Sequence, residues 1–390
     1  MLSSIYIGMT GLQGFSQGLR VIANNTANLN TPGFKSSTLQ FADMFYSNSA
    51  NGSKTMQVGY GLNTAGTMLN FEQGELRQTG NNLDLAVDGQ GLFTVRDTGG
   101  ALHYTRAGQF TFNSDGVMVS RVDGSKVMGQ DPSGAPGEIT IAGHQMIAGK
   151  ATTTLNFAGN LSSTDTDHTV QNVKVVDTLG IEHTMTLVLT QSTTTPGTWS
   201  VELKDGATSV GTGTLVFSAG APTPGTATVN MTYSRAGYPS LPLKLDFSKD
   251  VYSFGAGTDS QLVFTSQDGW GAGSLTGVSF DDTGTMVMSY SNGQTVKGVR
   301  LLLGRFDSLD AVSSNGNNQF DATNNLAWHI GTAGTNGFGA VRSGMVELSN
   351  VDLSQEFSDL VIMQRGYQAS SQVISTANEM LQQLFQMSSK

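Results

Sequence analysis

Histidine, cysteine and acidic side chains would carry catalysis or bind a metal, so their spacing is the first indication of function. The chain has five histidines and no cysteine. No two histidines have the HxxxH spacing that places two imidazoles on one metal ion. The absence of cysteine excludes disulfides, thiolate zinc sites and cysteine nucleophiles. We expect all the histidines to be polar residues of the surface or of strands: His103, His144, His168, His183 and His329.

Two short motifs resemble ligand-binding loops only in part. Gly89-Gln90-Gly91 has the first glycines of a dinucleotide loop but no helical pattern after it, so it predicts a turn. Asp281-Asp282-Thr283-Gly284 lacks the alternating ligands and the distal Glu of a calcium loop. GxSxG and Walker A patterns are absent, and no spacing indicates paired carboxylates, although the fold could bring two together. The sequence therefore predicts no enzyme, with no catalytic, cofactor-binding or metal-binding residue.

Composition narrows the class of protein. The 390 residues suffice for two or three domains. The formal net charge of -10 argues against nucleic-acid binding. Only 13% of residues are charged, against about 25% in ordinary domains. A weakly self-repelling surface suits a subunit packed among copies, and a β-rich extracellular protein has a similar composition. No signal peptide or membrane span is indicated, so we expect no membrane insertion and, if the protein is exported, no cleaved signal.

Elements that could position such residues are clearest at the two ends of the chain. Near the C-terminus, one position of successive heptads is filled by Leu353, Leu360, Tyr367, Ile374 and Leu381. The second position holds Met363, Ala377 and Leu384, with Ser370 as the polar interruption. At the N-terminus, similar 3-4 spacing is followed by Leu2, Ile5, Met9, Leu12, Leu19 and Ala23. These seams predict a coiled-coil stem built from both termini. The alternative is two ordinary amphipathic helices on a globular core.

A glycine stripe lies beside the N-terminal seam. Gly8, Gly11, Gly14 and Gly18 would each cost about 0.8–1 kcal/mol relative to Ala in a helix, but they permit close approach of another backbone. Residues 1–28 contain one charged residue, Arg20. We expect residues 1–25 to be disordered in free subunits and helical only in an assembly.

Between the ends, hydrophobic residues alternate with polar ones and turn signals recur, which predicts β-structure. Leu83, Leu85 and Val87 alternate, and Asn113-Ser114-Asp115-Gly116 is a hairpin signal. Short strands separated by Gly, Thr and Pro turns in 147–284 predict a sandwich or barrel. Residues 36–70 show no clear period and predict an irregular arm.

The predicted fold class is mixed and multidomain: an α-helical coiled-coil stem from both termini plus two mainly-β domains in nested, discontinuous order. The stem comprises 1–28 with 348–390 and would form the inner tube of an assembly. A connector arm covers 29–70. The first β domain comprises 71–146 with 285–347, and the outer β domain is 147–284.

Residues 23–35, ANNTANLNTPGFK, resemble the signature of bacterial flagellar rod and hook proteins. The matching connector residues are Asn24, Asn25, Asn28, Thr31, Pro32, Gly33, Phe34 and Lys35. Further similar stretches, in the same order as in the family, are GELRQTGN from Gly74, LDLAV from Leu83, GQGLF from Gly89, YTRAGQF from Tyr104, SNVDL from Ser349, EF from Glu356, QRGYQA from Gln364 and NEML from Asn378. Together they cover both ends of the chain.

Within that family, the large middle region favours a hook subunit over the shorter rod subunits. The resemblance implies a subunit that polymerises into a curved extracellular tube, a universal joint that transmits motor torque to the filament. It also implies, as partners, copies of itself, the distal rod protein, the hook cap and hook-filament junction proteins, and the flagellar type III export apparatus. The alternatives are a straight rod, or drive-shaft, protein and a secreted β-rich adhesin or hydrolase that oligomerises through its terminal helices.

Overall fold

The structure is a computed structural model, and it describes residues 2–51, 54–234 and 239–388. Helices lie at both ends, α1 (Leu2–Ala27) and α2 (Leu353–Ser388), and two 3-10 turns lie at Leu309–Ala311 and Asn325–Ala327. This arrangement of terminal helices and a β-rich middle confirms the coarse architecture predicted from the sequence.

The strands up to residue 147 are β1 (Ser37–Asp43), β2 (Tyr46–Asn51), β3 (Lys54–Gly59), β4 (Leu62–Leu69), β5 (Leu76–Gln78), β6 (Leu85–Asp88), β7 (Leu92–Arg96), β8 (Leu102–Thr105), β9 (Phe110–Phe112), β10 (Met118–Ser120), β11 (Lys126–Gln130), β12 (Pro136–Glu138) and β13 (Met146–Ile147).

The remaining strands follow without another long helix until α2. They are β14 (Thr154–Asn160), β15 (Asp167–Val176), β16 (Glu182–Gln191), β17 (Thr198–Asp205), β18 (Thr208–Ser218), β19 (Ala221–Pro222), β20 (Thr228–Tyr233), β21 (Leu241–Asp246), β22 (Val251–Tyr252), β23 (Val263–Gln267), β24 (Gly273–Phe280), β25 (Thr285–Tyr290), β26 (Thr295–Phe306), β27 (Val312–Gly316), β28 (Gln319–Ala322), β29 (Trp328–Thr332), β30 (Ala340–Ser343) and β31 (Met345–Glu347).

The chain forms two compact units, and each is made of more than one segment. The first comprises Met1–Ala142, Val278–Met288 and Lys297–Lys390, and the second comprises Gly143–Gly277 and Ser289–Val296.

The second unit is a β-sandwich. One sheet has the order β15-β16-β17-β18-β19, and the other has the order β20-β21-β14-β22 with β23 also paired to β14. Alternate residues of neighbouring strands enter one shared core, as Met185, Leu187 and Leu189 of β16 do. Trp199 of β17 is fully buried there. This burial of every second residue follows from the two-residue period of a strand.

The first unit contains a β-sheet with the path β26-β11-β7-β8-β28-β27. Leu92, Tyr104 and Phe320 belong to one of its buried clusters. Trp328 packs against Tyr104 with ring centroids 4.0 Å apart and against Phe306 at 5.5 Å. Both aromatics belong to this core, since Trp328 is buried and Phe306 packs against the same cluster.

The returning chain pairs with the outgoing chain in the first unit. β30 is antiparallel to β6, with Val341 opposite Val87, and β31 is antiparallel to β5, with Val346 opposite Arg77. These pairings bring the segment that leads into α2 back beside residues 76–88. The two ends of the chain are thereby held by the same part of the β-structure.

Residues 36–70 differ from the predicted irregular arm. β1 and β4 form an antiparallel ladder with a register shift at Gln40/Phe41, and β2 pairs with β3. The ladder packs on α1, where the Phe15 and Phe41 rings lie 6.0 Å apart. No residue of β1 or β4 is fully buried, so neither strand has the row of buried apolar side chains that marks a strand in a sequence.

Two turns, the predicted hairpin at Asn113 and a turn at Asp281, are stabilised by side chains that bond to nearby backbone groups. At the Asn113 hairpin, Gly116 N–H donates to Asn113 O at 3.0 Å, and Val117 N–H donates to Asn113 Oδ1 at 2.9 Å. At Asp281, the carboxylate accepts the Thr283 and Thr285 N–H groups at 3.0 and 2.9 Å. Asp281 therefore organises a turn.

Candidate assembly site

The two terminal helices pack antiparallel through the glycine stripe. A Cβ added at Gly8 would lie 2.7 Å from Cγ1 of Ile374, and one added at Gly18 would lie 2.9 Å from Sδ of Met363. Gly11 faces Ser370 in the same way, at 2.6 Å from Oγ. All four glycines of the stripe are buried. The missing side chains let α2 approach the α1 backbone closely.

Two further small-residue contacts complete this packing. Gly366 of α2 receives the Phe15 ring, whose Cε1 would be 2.6 Å from an added Cβ. Gly14 differs from its neighbours because it faces the β1–β4 ladder, where a Cβ would lie 2.5 Å from Cδ1 of Leu62. The glycine stripe thus serves two neighbours, α2 and the ladder.

Most residues of the predicted a/d seams are less buried than the glycines, and the exception is Ala377, which is 1% exposed. Met9 is 54% exposed, Tyr367 42%, Leu384 49% and Leu353 37%. The half-buried members are Ile5, Leu12, Leu19, Leu360, Met363, Ile374 and Leu381, and the side chain of Leu2 lies outside the described residues. In a single chain the closest contact between the helices is made by glycines, and much of the apolar seam faces outward.

A buried polar bond ties the end of α1 to the start of α2. The Asn25 amide donates to Glu356 Oε1 at 2.8 Å and to Ser37 O at 2.8 Å, and its Oδ1 accepts the Ser37 N–H at 3.1 Å. Burial raises the pKa of Glu356, and the Asn25 hydrogen bond opposes that rise. Asn25 therefore uses its whole amide to fix both helices to β1.

The connector after α1 is a series of turns. Asn28 donates to Asn24 O at 2.9 Å and accepts from the Thr31 hydroxyl at 3.1 Å. Pro32 O accepts from Asn318 Nδ2 at 3.0 Å. α1 ends at Ala27, five residues before the proline.

Gly33 and Phe34 continue the connector toward the returning chain. Gly33 has φ +72°, and a Cβ there would lie 2.4 Å from Ala107 N. Its N–H donates to Glu347 O at 2.8 Å, and Phe34 N–H donates to Thr31 O at 3.2 Å. Only glycine fits both this left-handed backbone and this close approach.

Lys35 ends the connector in a buried ion cluster. Lys35 Nζ lies 2.6 Å from Glu347 Oε1 and donates to Glu72 O at 2.6 Å. Arg106 Nε lies 2.8 Å from Glu347 Oε2, an ion pair whose alignment falls short of a hydrogen bond. Burial lowers the pKa of Lys35, and the Glu347 carboxylate opposes that effect. Two buried cations thus share one buried carboxylate, which makes Glu347 indispensable to the cluster.

Asn350 holds the adjoining backbone. Its Oδ1 accepts Ser36 N–H at 2.8 Å, and its Nδ2 donates to Asn70 O at 2.8 Å and to Glu72 O at 3.1 Å. Sequence reasoning noted Arg106 and Asn350 only within family-like stretches, and it missed Glu347 entirely. The available signal was a charged residue two positions before SNVDL, in a chain with so few charges.

The histidines take part in local contacts of the β-structure. His103 lies between Asp321 Oδ1 at 2.5 Å and Asp97 Oδ2 at 3.4 Å. His183 pairs with Asp177 at 3.0 Å. Across the described residues, no cluster of His, Asp and Glu could hold a metal ion, and neither helix there is long and apolar enough to cross a membrane.

Three family models match the chain at the regions that form this site. A model described as Flagella basal body rod protein matches residues 5–35, Flagellar hook protein FlgE/F/G D1 domain matches 86–162, and Flagellar basal body rod FlgEFG protein C-terminal matches 342–387. The first and last cover most of α1 with the connector and most of α2.

Full-length relatives agree with these models. Flagellar hook protein FlgE of Escherichia coli is 32% identical over 406 residues, covering 96% of this chain and 98% of the relative. Flagellar hook protein FlgE of Borreliella burgdorferi is 28% identical and covers 99% of this chain and 100% of the relative. A crystal structure of Helicobacter pylori flagellar hook protein FlgE2 shares the fold, with TM-score 0.50 and 13% identity, over 68% of this chain and 99% of that chain. The chain therefore belongs to the flagellar hook protein family and is a structural protein, not an enzyme.

Proposed function

We propose that this chain is the structural subunit of the bacterial flagellar hook and that its copies polymerise into a curved tube that transmits torque from the motor to the filament. The observation that carries this proposal is the packing of α1 on α2 through glycines, which leaves apolar side chains of both helices exposed. Besides the seam residues, the exposed set includes Phe357, Ile362, Phe385 and Met387. Contiguous exposed apolar surface marks a contact with another molecule, and here the molecule is another copy.

In this proposal the two terminal helices form a coiled-coil stem that lines the tube. The stem comprises 1–28 with 348–390, and the β domains follow the predicted nested order. The antiparallel packing of α1 and α2 and the pairing of β5 and β6 with the returning chain support this arrangement. The exposed seam residues would be buried between stems of neighbouring copies, at about 25 cal/mol per Å² of apolar surface.

The connector and the Lys35–Glu347–Arg106 cluster make the joint between stem and first β domain rigid. The Asn25–Glu356 bond fixes the helices on one side of the connector, and the ion cluster fixes the β-structure on the other. Torque applied to the helices would be transmitted to the β-structure, because these groups are buried and water cannot replace the bonds between them. Bending would be accommodated elsewhere, in weakly charged β surfaces of the outer domain that slide with small energy differences.

The proposed location is the extracellular hook at the cell surface. The principal partner is the chain itself. Further partners are the distal rod protein, the hook cap and hook-filament junction proteins, and the flagellar type III export apparatus. These further partners are proposed from the resemblance to hook proteins and not from a contact in the single chain.

Electron cryomicroscopy of hooks from a deletion strain that expresses this chain tests the proposal. The expected result is a curved tube whose inner wall is formed by α1 and α2. A straight tube that crosses the envelope would assign the chain to the rod. Soluble oligomers without tubes would contradict the proposed function altogether.

A further inference from the structure

The Gly89-Gln90-Gly91 turn has no role in the proposed stem or connector. Gly89 and Gly91 have φ of +108° and +135°, backbone conformations that glycine adopts readily. The Arg106 guanidinium donates to Gly91 O and, at 2.8 Å, to Gly89 O. The turn is therefore held open by a buried arginine.

Beside this turn lies a cavity of about 310 Å³ within the first unit. Its apolar wall is formed by Phe71, Leu92 and Phe306, with the two phenyl rings 4.6 Å apart at 64°. The other lining residues are Gln73, Gly89, Gln90, Gly91, Arg106 and Arg305. The cavity thus combines an aromatic wall with two arginines, and none of its lining residues is acidic. Arg106 is already held by Glu347 and by the two carbonyls of the turn, so Arg305 is the arginine that could meet a ligand.

Arg305 has donors that the described residues do not satisfy. Its Nε is buried and has no hydrogen-bond partner among them. Its Nη2 lies 3.6 Å from Asp307 Oδ1, too far for a hydrogen bond. A guanidinium is a fork of donors that matches a carboxylate, and such charge-assisted bonds are about twice as strong as neutral ones. The chemistry of this cavity therefore fits a carboxylate flanked by apolar atoms.

We propose that this cavity is a carboxylate-binding pocket and that its occupant in the assembly is an Asp or Glu side chain of a second copy of this chain. The inference rests on the proposed function, because that function places copies side by side. Charge complementarity supports the choice of occupant: the chain has 30 acidic and 20 basic residues, so a neighbouring copy presents carboxylates in excess. The pocket would give neighbouring copies a defined register that apolar seams alone do not specify.

Amide NMR of the full soluble chain, titrated with phenylacetate, tests the pocket directly. Shifts should concentrate at Gly89, Gly91 and Phe306. Arg305→Gln should weaken binding about tenfold or more, the equivalent of one lost charge-assisted bond, and Arg305→Lys should retain part of the affinity. Arg96→Gln is the matched control, because Arg96 pairs with Glu138 and does not line the pocket.

The neutral analogue 2-phenylethanol separates a carboxylate pocket from an apolar one. If it shifts the same amides with equal affinity, or if Arg305→Gln binds phenylacetate as well as the unaltered chain, the pocket assignment is wrong. Diffuse shifts over the whole chain would overturn it as well.

Photo-crosslinking in assembled tubes tests the occupant. A benzophenone side chain in place of Gln90, which lines the pocket, should crosslink to an Asp- or Glu-containing peptide of a second copy. Tubes that form normally but yield only intramolecular crosslinks would show that the proposed occupant is wrong, while leaving the proposed function intact. Failure of the unaltered chain to form tubes would instead contradict the proposed function.

Discussion

The ammonium of Lys35 lies 2.6 Å from the carboxylate of Glu347, a residue 312 positions later in the chain, and both side chains are fully buried. Lys35 ends the connector after α1, and Glu347 is the last residue of β31, shortly before α2. This pair therefore joins the two ends of the chain at the place where helices meet β-structure. Substitutions at Glu347 and Lys35 can be compared to measure how much each residue contributes to stability.

Glu347→Gln should destabilise the first unit by about 3–5 kcal/mol, because it leaves Lys35 and Arg106 as two buried cations without a counterion. Lys35→Met should cost less than about 2 kcal/mol, because Glu347 keeps Arg106 and the Gly74 N–H at 3.0 Å. The measurement is the urea dependence of amide exchange in residues 76–88. Arg342→Gln, which removes exposed pairs with Asp88 and Asp282, should cost under about 1 kcal/mol. Equal losses in Glu347→Gln and Arg342→Gln would contradict the central role of Glu347.

The antiparallel helix packing can be tested with an engineered disulfide, since the chain has no cysteine of its own. A Cβ at position 11 would lie 3.3 Å from Cβ of Ser370, close to the about 3.5–4.5 Å of a disulfide. Gly11→Cys with Ser370→Cys should oxidise readily in the free chain if α1 is already packed there. The control pairs Gly11→Cys with Ser371→Cys, whose side chain is exposed.

The same experiment tests the expectation that residues 1–25 are disordered in free subunits. Slow and unselective oxidation in free chains, followed by selective oxidation in assembled tubes, would support that expectation. Rapid selective oxidation in the free chain would contradict it. No crosslink at position 370 in either state would contradict the helix packing itself.

Substitutions of exposed residues in the predicted seams should affect assembly without affecting the stability of the single chain. Met9→Ser and Tyr367→Ser should raise the critical concentration for polymerisation about tenfold or more, since each apolar side chain contributes about 1.5–3 kcal/mol when fully buried. Neither should destabilise the free chain, because both residues are already substantially exposed there. Ala377→Ser provides the contrast: Ala377 is 1% exposed, so this change should lower the stability of the free chain. Sedimentation of polymer and thermal unfolding of free chain give the two readouts, and unchanged polymerisation of Met9→Ser would remove Met9 from the interface.

Acid should weaken the second unit through Asp268. Its carboxylate accepts the Thr153 and Thr154 N–H groups at 2.8 and 2.9 Å. Burial raises the pKa of Asp268, but the hydrogen bond from the Thr153 hydroxyl, these two backbone bonds and Lys150 outweigh it and hold the pKa at about 2. The unfolded chain, with an Asp pKa of about 3.9, takes up the proton first as pH falls, so this stabilisation is present above about pH 4 and is lost as pH falls toward 2.

Asp268→Asn should remove that part of the pH dependence. Urea midpoints of the second unit measured from pH 5 to pH 2 should fall less steeply in the variant than in the unaltered chain. Asp259→Asn is a matched change of charge on an exposed residue of the same unit, and it should leave the slope unchanged. Parallel profiles for Asp268→Asn and the unaltered chain would contradict the assignment.

The mechanical proposal predicts the effect of removing the outer domain. Deletion of 147–284 should leave a tube that is straight or rigid, because the sliding β surfaces are gone while the stem remains. Electron microscopy of hooks from the deletion strain measures curvature directly. Normally curved, flexible tubes would contradict the role given to the outer domain.

Local sequence pattern was sufficient for the terminal helices, for the β-rich character of the middle region and for the hairpin turn at Asn113. The heptad spacing around Ile374 indicates α2, the alternation of Met185, Leu187 and Leu189 indicates a half-buried strand, and Asn113 marks a hairpin. These features depend on neighbouring residues within one or two turns of backbone, where the periods of helix and strand are expressed directly. The β1–β4 ladder was not predicted because none of its residues is fully buried.

Tertiary structure decided which surfaces meet and which charges are buried. Sequence showed four glycines on one face of α1, but only the fold assigns Gly8, Gly11 and Gly18 to α2 and Gly14 to the ladder. Likewise, the sequence around Glu347 does not show whether its carboxylate is solvated or buried. Burial depends on pairing between segments hundreds of residues apart. A charged side chain requires a specific partner only when the fold has removed water from around it, so its partner cannot be read from the sequence.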